Sequence, residues 1–338
     1  MPEPTPRDQM VQLLTGYWVS QAVYVAAELA LADRLVAGPR TAEELAEVTG
    51  THAPSLYRLL RALGSVGVIT EGEDRRFSLT PLGECLRSDV PGSQRATARM
   101  MVGQFYDAWG DLLGSVRTGR PAFQERHGHS FFEHLTAYPE QAQVFDEAMT
   151  AFNDRKTTAM LEAYDFSGIS VLADIGGGNG STLVSVLRMY PEMRGIVFDL
   201  PGVVGRAETE VQATGLSERC RVVAGNFLES VPAGADAYLL RHILHNWDEE
   251  QAVAILRKVR QAMCAGARLL VVEGVIPPGN EPMFGKLMDL TMLVVHGGRE
   301  RTEDEFRCLF ETAGFNLTRV VPTASDVSVI EGEAQRSV

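Results

Sequence analysis

A glycine-dense turn after an apolar run constrains this chain more than any other feature. The mainly apolar segment Val171–Ile175 is followed within five residues by Gly176, Gly178 and Gly180, and residues 181–190 have the spacing of a helix. A strand, a tight glycine turn and a helix N-terminus form a site that holds a nucleotide-like ligand over backbone N–H groups. Glycine is needed there because a Cβ would hinder the positive-φ turn and the close approach of the ligand.

The spacing of the glycines fits a nicotinamide enzyme only in part. A dinucleotide fingerprint has the form G-x-G-x-x-G/A, whereas this turn reads G-x-G-x-G, with Ser181 where the last small residue should stand. Asp199 ends the next predicted strand 19 residues after Gly180, where a carboxylate can bind both hydroxyls of a ribose. A ribose-containing ligand is therefore expected, and a nicotinamide cofactor remains a weak alternative that rests on the glycine turn alone.

The second half of the chain has the pattern of an α/β fold. Strands are predicted at 170–175, 195–199, 221–224, 236–240, 268–273, 316–322 and 326–331, and helices at 181–190, 203–214, 249–264 and 302–313. Such alternation predicts a mostly parallel sheet covered on both faces. Asp174, Asp199, Asn226 and His245 each follow a predicted strand end, so they should converge on one crevice.

Five sequence blocks in a fixed order resemble one enzyme family. They are Asp174–Gly180, Asp199-Leu200-Pro201, Gly225-Asn226-Phe227, His245-Asn246-Trp247-Asp248 and Gly297–Thr302. In this order the chain resembles, from about residue 10 to 331, the small-molecule O-methyltransferases that use S-adenosylmethionine. That family includes plant caffeate and isoflavone methyltransferases and bacterial polyketide and phenazine methyltransferases.

The resemblance implies a fold, a cofactor and a partner. The expected fold is a seven-stranded, mostly parallel, Rossmann-like class I methyltransferase sheet with an N-terminal winged-helix dimerisation domain. The expected domains are residues 1–100 for dimerisation, 101–165 as a helical linker that forms one wall of the acceptor pocket, and 166–338 for catalysis. The expected cofactor is S-adenosylmethionine, with S-adenosylhomocysteine as its product, and the expected assembly is a homodimer.

The resemblance also implies a set of cofactor contacts. They are Gly176 and Gly178 near the methionyl end, Asp199 on the ribose, Asn226 and Phe227 at the adenine, Arg241, and Asn153 near the amino-acid end. The family usually has an aspartate where this chain has Asn226. An amide oxygen can still accept a hydrogen bond from the adenine amino group, but the strength of binding is open.

His245 is the candidate general base for a transfer of methyl to an oxygen. A phenol has a pKa of ~10 and histidine one of ~6.5, so an imidazole can take the proton as the C–O bond forms. The matching acids of the family are Glu273 and Glu300, which would orient the imidazole. Alternatively, His245 is a packed or capping residue, and Glu300 is a surface partner of Arg299 or Arg301.

Two neighbours of His245 have simpler interpretations. His242 is expected on the strand as a buried structural histidine. Asp248 is expected to cap the helix that starts at Glu249, with Gln251 completing a capping box.

A flat, apolar acceptor pocket with a polar edge is predicted for an aromatic ring. Its expected lining residues are Phe105, Trp109, Met149, Phe152, Met292 and His296. Helical aromatic stripes are more often core, and the ring itself is not readable from these residues. His127, His129 and His134 are close in sequence, but no second cluster supports a metal, and none is expected.

The N-terminal region has two candidate roles. Residues 8–37 are apolar on most sides, which predicts burial against a partner subunit. Residues 41–90 have the pattern of a winged helix, which either reads DNA or serves as a dimerisation scaffold. Basic and acidic residues balance across 49–90, and the net charge is −13 (31 basic minus 44 acidic residues), so a scaffold is favoured and nucleic acid is not an expected partner.

Composition bounds the location of the protein. The four cysteines are scattered without disulfide spacing, the N-terminus has no apolar signal region, and no apolar stretch is long enough to span a bilayer. A cytoplasmic protein without membrane contact is therefore expected.

Three other functions stay open at this point. Methylation of a heteroaromatic nitrogen, as in phenazine-type relatives, would need no base. A fold-alike would bind the cofactor but run a different reaction. A ligand-sensing regulator would use the winged helix to bind DNA.

Overall fold

The computed structural model describes residues 5–335 and divides them into two compact units. The first contains residues up to 107 together with 139–152, and the second contains 108–138 and everything from 153 onward. The domain boundaries expected after residues 100 and 165 remain a prediction.

The first unit begins with two helices instead of the single one expected over 8–37. Helix α1 (Pro6–Glu28) starts in a capping box made by Thr5 and Asp8, and α2 (Leu31–Leu35) follows it. Ala30 separates them because it adopts a left-handed conformation with φ of 51°, which a continuing α-helix cannot contain.

The winged helix is present as predicted. It consists of α3 (Ala42–Thr49), α4 (Ala53–Ser65) and the antiparallel hairpin of β1 (Ile69–Glu71) and β2 (Phe77–Leu79). Leu45, Leu60, Leu63 and Phe77 are fully buried in its core. A capping box made by Thr41 and Glu44 opens α3.

Helix α1 leaves a large apolar surface uncovered within its chain. Its exposed apolar side chains are Met10, Val11, Leu13, Leu14, Tyr17, Trp18 and Val19, with 43 to 76% of their surface accessible. Contiguous apolar patches of this kind mark interaction surfaces. The expectation that this segment needs a partner therefore has a structural basis.

Short helices follow the winged helix. They are α5 (Pro81–Glu84), α6 (Arg95–Ala98), a π-helical stretch at Arg99–Gln104, α7 (Tyr106–Gly110), α8 (Leu112–Thr118), α9 (Ala122–His127) and α10 (Phe131–Ala137). The long helix α11 (Pro139–Ala163) contributes its first part to the first unit and its last part to the second.

The second unit is built on a seven-stranded sheet. Its strands are β3 (Val171–Ile175), β4 (Arg194–Asp199), β5 (Cys220–Ala224), β6 (Ala237–Arg241), β7 (Arg268–Glu273), β8 (Phe315–Pro322) and β9 (Ser328–Ala334). Their spatial order is β5-β4-β3-β6-β7-β9-β8. The pairs among β3 to β7 are parallel, whereas β9 is antiparallel to both β7 and β8. The predicted class of sheet is confirmed.

Helices connect these strands. They are α12 (Ser181–Met189), α13 (Val204–Ala213), α14 (Glu249–Ala262), α15 (Phe284–Thr291), which continues into a π-helical turn at Met292–His296, and α16 (Glu303–Ala313). Helices α12, α13, α14 and α16 lie where the sequence predicts them. Helix α15 was not predicted.

The sheet has an apolar layer on each face because successive side chains of a strand point to opposite sides. Ile175, Tyr238 and Leu240 join one buried cluster, and Leu172 and Leu239 join the other. The central strands β3, β4, β6 and β7 are therefore buried along most of their length, and polar chemistry is expected at their carboxyl ends. No helix within residues 5–335 is long and apolar enough to cross a membrane.

Candidate active site

The glycine turn lies between β3 and α12, as predicted. The N–H groups of Gly176 and Gly177 donate to the carbonyl of Phe198 at 2.8 and 3.3 Å, so the turn is fastened to β4. A Cβ at Gly176 would lie 2.4 Å from Cδ1 of Ile243, whereas one at Gly178, where φ is 59°, would meet no atom within 4 Å. Gly176 is thus required for packing, and Gly178 leaves free space beside its backbone.

Asp199 ends β4 and reaches back to the glycine turn. Its two carboxylate oxygens accept the N–H of Gly178 at 2.8 Å and the N–H of Leu200 at 2.7 Å. Burial raises the pKa of this carboxyl, and the two hydrogen bonds oppose the rise. Because each carboxylate oxygen has a second lone pair, Asp199 can still accept from two hydroxyl groups.

Asn226 and Phe227 follow β5 and approach the same turn. A ring carbon of Phe227 lies 3.5 Å from the place that a Cβ would take at Gly176. The Phe227 and Trp247 rings pack edge to face with centroids 5.9 Å apart. The Asn226 side-chain oxygen accepts the N–H of Leu228 at 3.0 Å, which orders the loop that carries Phe227.

Asp174 lies in the interior beneath the turn; the sequence placed it in the crevice but assigned it no contact with the cofactor. It is 2% exposed, and its Oδ2 has no hydrogen-bond partner among residues 5–335. Burial raises the pKa of this carboxyl to about 7, and the nearby Arg241 opposes that rise. An unsatisfied buried carboxylate oxygen is costly unless a ligand pairs with it.

Arg241 ends β6 and is held in place from two helices. Its guanidinium donates to the hydroxyls of Thr157 at 2.6 Å and Thr182 at 2.7 Å, and to the backbone and side-chain oxygens of Asn153 at 3.0 and 3.2 Å. Burial lowers its pKa to about 10, which leaves it charged at neutral pH. Arg241 and Asn153, two of the expected cofactor contacts, therefore lie in contact with each other, whereas Thr157 and Thr182 were missed.

His245 lies in a short 3-10 turn, Leu244–Asn246, just beyond β6. Its Nδ1 is 2.7 Å from Oε1 of Glu300, and its backbone N–H donates to Oε1 of Glu273 at 3.1 Å. His245 is 8% exposed, Glu300 5% and Glu273 not at all. The structure therefore brings the three predicted catalytic residues together and removes Glu300 from the surface role that the sequence left open.

The charges around His245 determine its protonation. Burial lowers the pKa of His245, but the Glu300 carboxylate, its hydrogen bond and the Glu273 carboxylate together raise the pKa above its ordinary value. Burial raises the pKa of Glu273. A carboxylate at Nδ1 directs that proton toward Glu300 and leaves Nε2 as the acceptor, as in the orienting acid of a triad.

The segment Gly297–Thr302 packs on the backbone of the His245 turn. The N–H of Arg299 donates to the carbonyl of His245 at 2.9 Å. A Cβ at Gly298 would lie 2.0 Å from that carbonyl oxygen. Arg301 is fully buried and donates to the carbonyl of Leu244 at 3.2 Å. Asp289 of α15 accepts the N–H of Glu300 at 2.8 Å, which fixes the segment from the other side.

His242 does not lie on the strand, which corrects the sequence interpretation. It follows β6 with φ of 52°, a left-handed conformation that is uncommon for a residue with a side chain. Its ring lies 5.2 Å from that of His245, and burial holds its pKa well below the ordinary value. The sharp turn is what lets the chain leave β6 and place His245 beside Glu300. Asp248 does cap α14 by accepting the N–H of Gln251 at 2.8 Å.

The six predicted pocket residues divide between the two units. Phe105, Met149 and Phe152 belong to the first unit, where Phe105 is buried and the other two are partly buried. Trp109, Met292 and His296 belong to the second. There His296 packs against Phe131 and Phe132 with ring centroids 5.4 and 5.2 Å apart, and burial lowers its pKa to about 3. The acceptor pocket as a whole remains a prediction.

The three histidines of 127–134 form an aromatic cluster. Their ring centroids are 5.1 to 6.1 Å apart, and Phe123 packs against His127 and His134. Within residues 5–335 there is no group of three or more histidine, cysteine or acidic residues arranged to hold a metal ion.

Two family domains match this chain. The O-methyltransferase domain matches residues 109–316, and the O-methyltransferase dimerisation domain matches residues 11–89. The chain belongs to the O-methyltransferase family. Phenazine O-methyltransferase PhzM of Lysobacter antibioticus is 46% identical to this methyltransferase over 322 residues, which are 95% of this chain and 94% of the relative.

Solved structures agree with the assignment. The crystal structure of LaPhzM matches this methyltransferase with a TM-score of 0.95 and 45% identity, covering 98% of this chain and 99% of that one. The O-methyltransferase NcsB1 from neocarzinostatin biosynthesis, in complex with S-adenosylmethionine and 2-hydroxy-5-methyl naphthoic acid, matches with a TM-score of 0.85 and 39% identity, covering 93% and 95%. This chain is a methyltransferase that uses S-adenosylmethionine and acts on a small natural product, so the regulator and nicotinamide hypotheses do not describe its class.

The site fits the cofactor of the family. A ligand whose amino-acid end carries an ammonium group would fit both features: the free space beside Gly178 could hold it, and the unsatisfied oxygen of Asp174 could pair with the ammonium. One feature of the sequence could have pointed to a missed residue, because Thr182 stands in the first turn of the predicted helix that follows the glycines.

Proposed function

We propose that this methyltransferase transfers the methyl group of S-adenosylmethionine to a hydroxyl group of a small hydroxylated aromatic compound, with His245 as the general base. The observation that carries the proposal is the buried contact between Nδ1 of His245 and the carboxylate of Glu300. A histidine that served only to cap a helix would not need a buried carboxylate hydrogen-bonded to its imidazole. The relatives named above act on a phenazine and bind a hydroxynaphthoic acid, which supports an aromatic acceptor.

The cofactor site is proposed from the residues described above. Asp199 accepts the ribose hydroxyls, Gly176 and Gly178 give the backbone approach, and Asn226 and Phe227 lie at the adenine. Asp174 pairs with the ammonium of the amino-acid end, and Arg241, held by Asn153, binds its carboxylate. When bound, the cofactor supplies an electrophilic methyl on a sulfonium.

The chain itself supplies the group that removes the proton from the acceptor's hydroxyl. Nε2 of His245 would take the hydroxyl proton of the acceptor as the methyl group passes from the sulfur to that oxygen. Glu300 then stabilises the imidazolium from Nδ1, and Glu273 holds the backbone N–H of His245 so that the ring cannot swing away. General-base catalysis contributes about 10²- to 10⁴-fold to the rate of such reactions.

The exposed face of α1 is proposed as part of a homodimer interface. The match of residues 11–89 to a dimerisation domain supports this assignment. The balanced charge of the winged helix supports a scaffold without a nucleic acid partner.

Two measurements test the proposal. Calorimetric titration of S-adenosylhomocysteine, with NADH in parallel, is expected to show micromolar binding of the first at one per chain and none of the second. His245→Ala is expected to lower kcat by about 10²-fold or more on a phenol acceptor, with the affinity for S-adenosylhomocysteine unchanged. The exposed His52→Ala is the matched control. A loss of tenfold or less would contradict a general base and favour methylation of a ring nitrogen.

A further inference from the structure

Lys156 is a buried charged residue that the mechanism above does not use. It lies on the part of α11 that belongs to the second unit and is 7% exposed. Its Nζ is 3.0 Å from Oδ2 of Asp326, which lies in the connection between β8 and β9. Lysines are almost never buried to this degree without a partner, because the desolvation of an ammonium is expensive.

The ion pair is asymmetric with respect to solvent. The side chain of Lys156 is 9% exposed, whereas that of Asp326 is 31% exposed. Water screens the charge of Asp326 more strongly than the charge of Lys156. Burial lowers the pKa of Lys156, and the ion pair with Asp326 opposes that fall.

The interior side of the pair is the catalytic cluster. The backbone oxygen of Asp326 lies 3.6 Å from the place that a Cβ would take at Gly274, and Oε2 of Glu300 lies 3.3 Å from the same point. Gly274 directly follows Glu273, and Thr157, next to Lys156, binds Arg241. The loop that contains Asp326 and the backbone just after β7 therefore lie beside Glu273 and Glu300, the two carboxylates that orient His245.

The groups that face His245 form an unequal charge set. The carboxylates are Glu300 and Glu273, and Asp289 lies behind Glu300. The remaining neighbours are Lys156, the imidazoles of His242 and His296, whose pKa values are lowered by burial, and the buried Arg301, which donates to the carbonyl of Leu244. Glu300 and Glu273 raise the pKa of His245, and Lys156 opposes them.

We propose that Lys156, held by Asp326, is a positioning residue that opposes the charges of Glu273 and Glu300 and so limits the proton affinity that these two carboxylates give His245. This inference rests on the proposed role of His245 as general base. A base that is already protonated cannot accept the acceptor's proton. Two buried carboxylates are needed to orient the imidazole, but without a buried cation they would hold it in the imidazolium form.

The test is the protonation of His245 itself. In histidine-labelled protein, the imidazole resonance of His245, assigned by its loss in His245→Gln, is followed by NMR as a function of pH. Lys156→Met keeps the apolar stem but removes the charge, and it is expected to raise the pKa of His245 by about one pH unit. Lys156→Arg keeps the charge and is expected to leave the titration near that of the wild type.

The same variants are then compared in the pH dependence of kcat/KM. For Lys156→Met the fall of activity on the acid side is expected at higher pH by the same amount, with recovery toward the wild-type value at alkaline pH. Lys258→Met on α14 is the matched control and is expected to change neither curve. Lys156→Gln serves as a second neutral variant.

Two outcomes separate the two proposals. An unchanged His245 titration in the folded Lys156→Met or Lys156→Gln protein, or a loss of activity equal at every pH, would overturn the role of Lys156 and leave His245 as the base. Full activity of His245→Ala would overturn the general base itself, whatever the NMR titration shows.

Discussion

Oε1 of Glu300 lies 2.7 Å from Nδ1 of His245, and both side chains are at most 10% exposed. A charge-assisted hydrogen bond at this distance is strong, and burial shields it from competing water. The imidazole is therefore fixed in one tautomer before an acceptor arrives. The same contact raises the pKa of His245, so orientation is gained together with a tendency to bind a proton.

Glu300→Gln is expected to separate these two effects. The amide keeps a hydrogen bond but loses the charge that raises the pKa of His245, so the acid-side fall of kcat/KM should move to lower pH. The plateau of kcat should drop by about 10-fold or more, because the imidazolium loses its stabilising partner. Steady-state kinetics from pH 5 to 9 check both effects. An unmoved acid limb in an otherwise folded variant would contradict this account.

Gly298→Ala is expected to damage the site through the backbone. The added Cβ would meet the carbonyl oxygen of His245 at 2.0 Å and the backbone of Asn246 and Trp247 at 2.5 and 2.7 Å. Overpacking of this kind costs about 1–3 kcal/mol in stability. Thermal unfolding and kcat measure it, with Gly205→Ala as control because no atom lies within 4 Å of its Cβ position. Equal stability of the two variants would argue against a tight backbone contact.

Asp174→Asn is expected to raise the stability of the ligand-free protein and to weaken its binding of the cofactor. The pKa of Asp174 is raised from 3.8 to about 7 in the folded protein, so the folded state binds this proton more tightly than the unfolded chain. The protonated Asp174 makes its full contribution to the free energy of unfolding below pH ~4, and this contribution is lost as the pH rises through about 7. Above that pH, the ionised carboxylate lowers the free energy of unfolding by up to about 4 kcal/mol.

The amide therefore should stabilise the ligand-free protein at pH 8 but change little at pH 4. Urea unfolding at the two pH values measures this difference. The affinity for S-adenosylhomocysteine should fall at least 10-fold at pH 8, because the amide cannot pair with an ammonium. A variant that loses stability at pH 8, or keeps its affinity, would show that Asp174 has been assigned wrongly.

Charge placed on the outer face of α1 is expected to dissociate the proposed homodimer. Leu14 and Trp18 are 66% and 61% exposed within the chain, and an aspartate at each would desolvate a carboxylate in the interface. Sedimentation at micromolar concentration should show a monomer for the double variant. Val48→Asp, an exposed apolar position on α3, is the control that should stay dimeric. A dimeric double variant would place the interface elsewhere.

Much of the fold could be predicted because periodicity and glycine turns are local signals. All seven strands of the sheet lie within three residues of their expected bounds, and Asp199, His245, Glu273 and Glu300 follow from strand ends and motif order. The break at Ala30 could not be predicted, since neither glycine nor proline stands there. Helix α15 was missed although its apolar positions repeat with helical spacing.

Contacts between distant segments account for the remaining misses in the site. Thr157 and Thr182 become partners of Arg241 only when α11 and α12 pack beside β6. Lys156 and Asp326 meet through the same assembly, and no local pattern in either segment indicates the other. The left-handed turn at His242 likewise depends on where β6 must end.

The backbone contact between Gly298–Arg299 and His245 joins two stretches of chain that are far apart in sequence. We expect that neither segment can change its backbone conformation alone as such enzymes diverge, because a shift in one would remove the backbone contact that it makes with the other. A recombinant that takes residues 241–248 from one relative should therefore work only when residues 297–302 come from the same parent. We therefore expect the two segments to be exchangeable between relatives only as a pair.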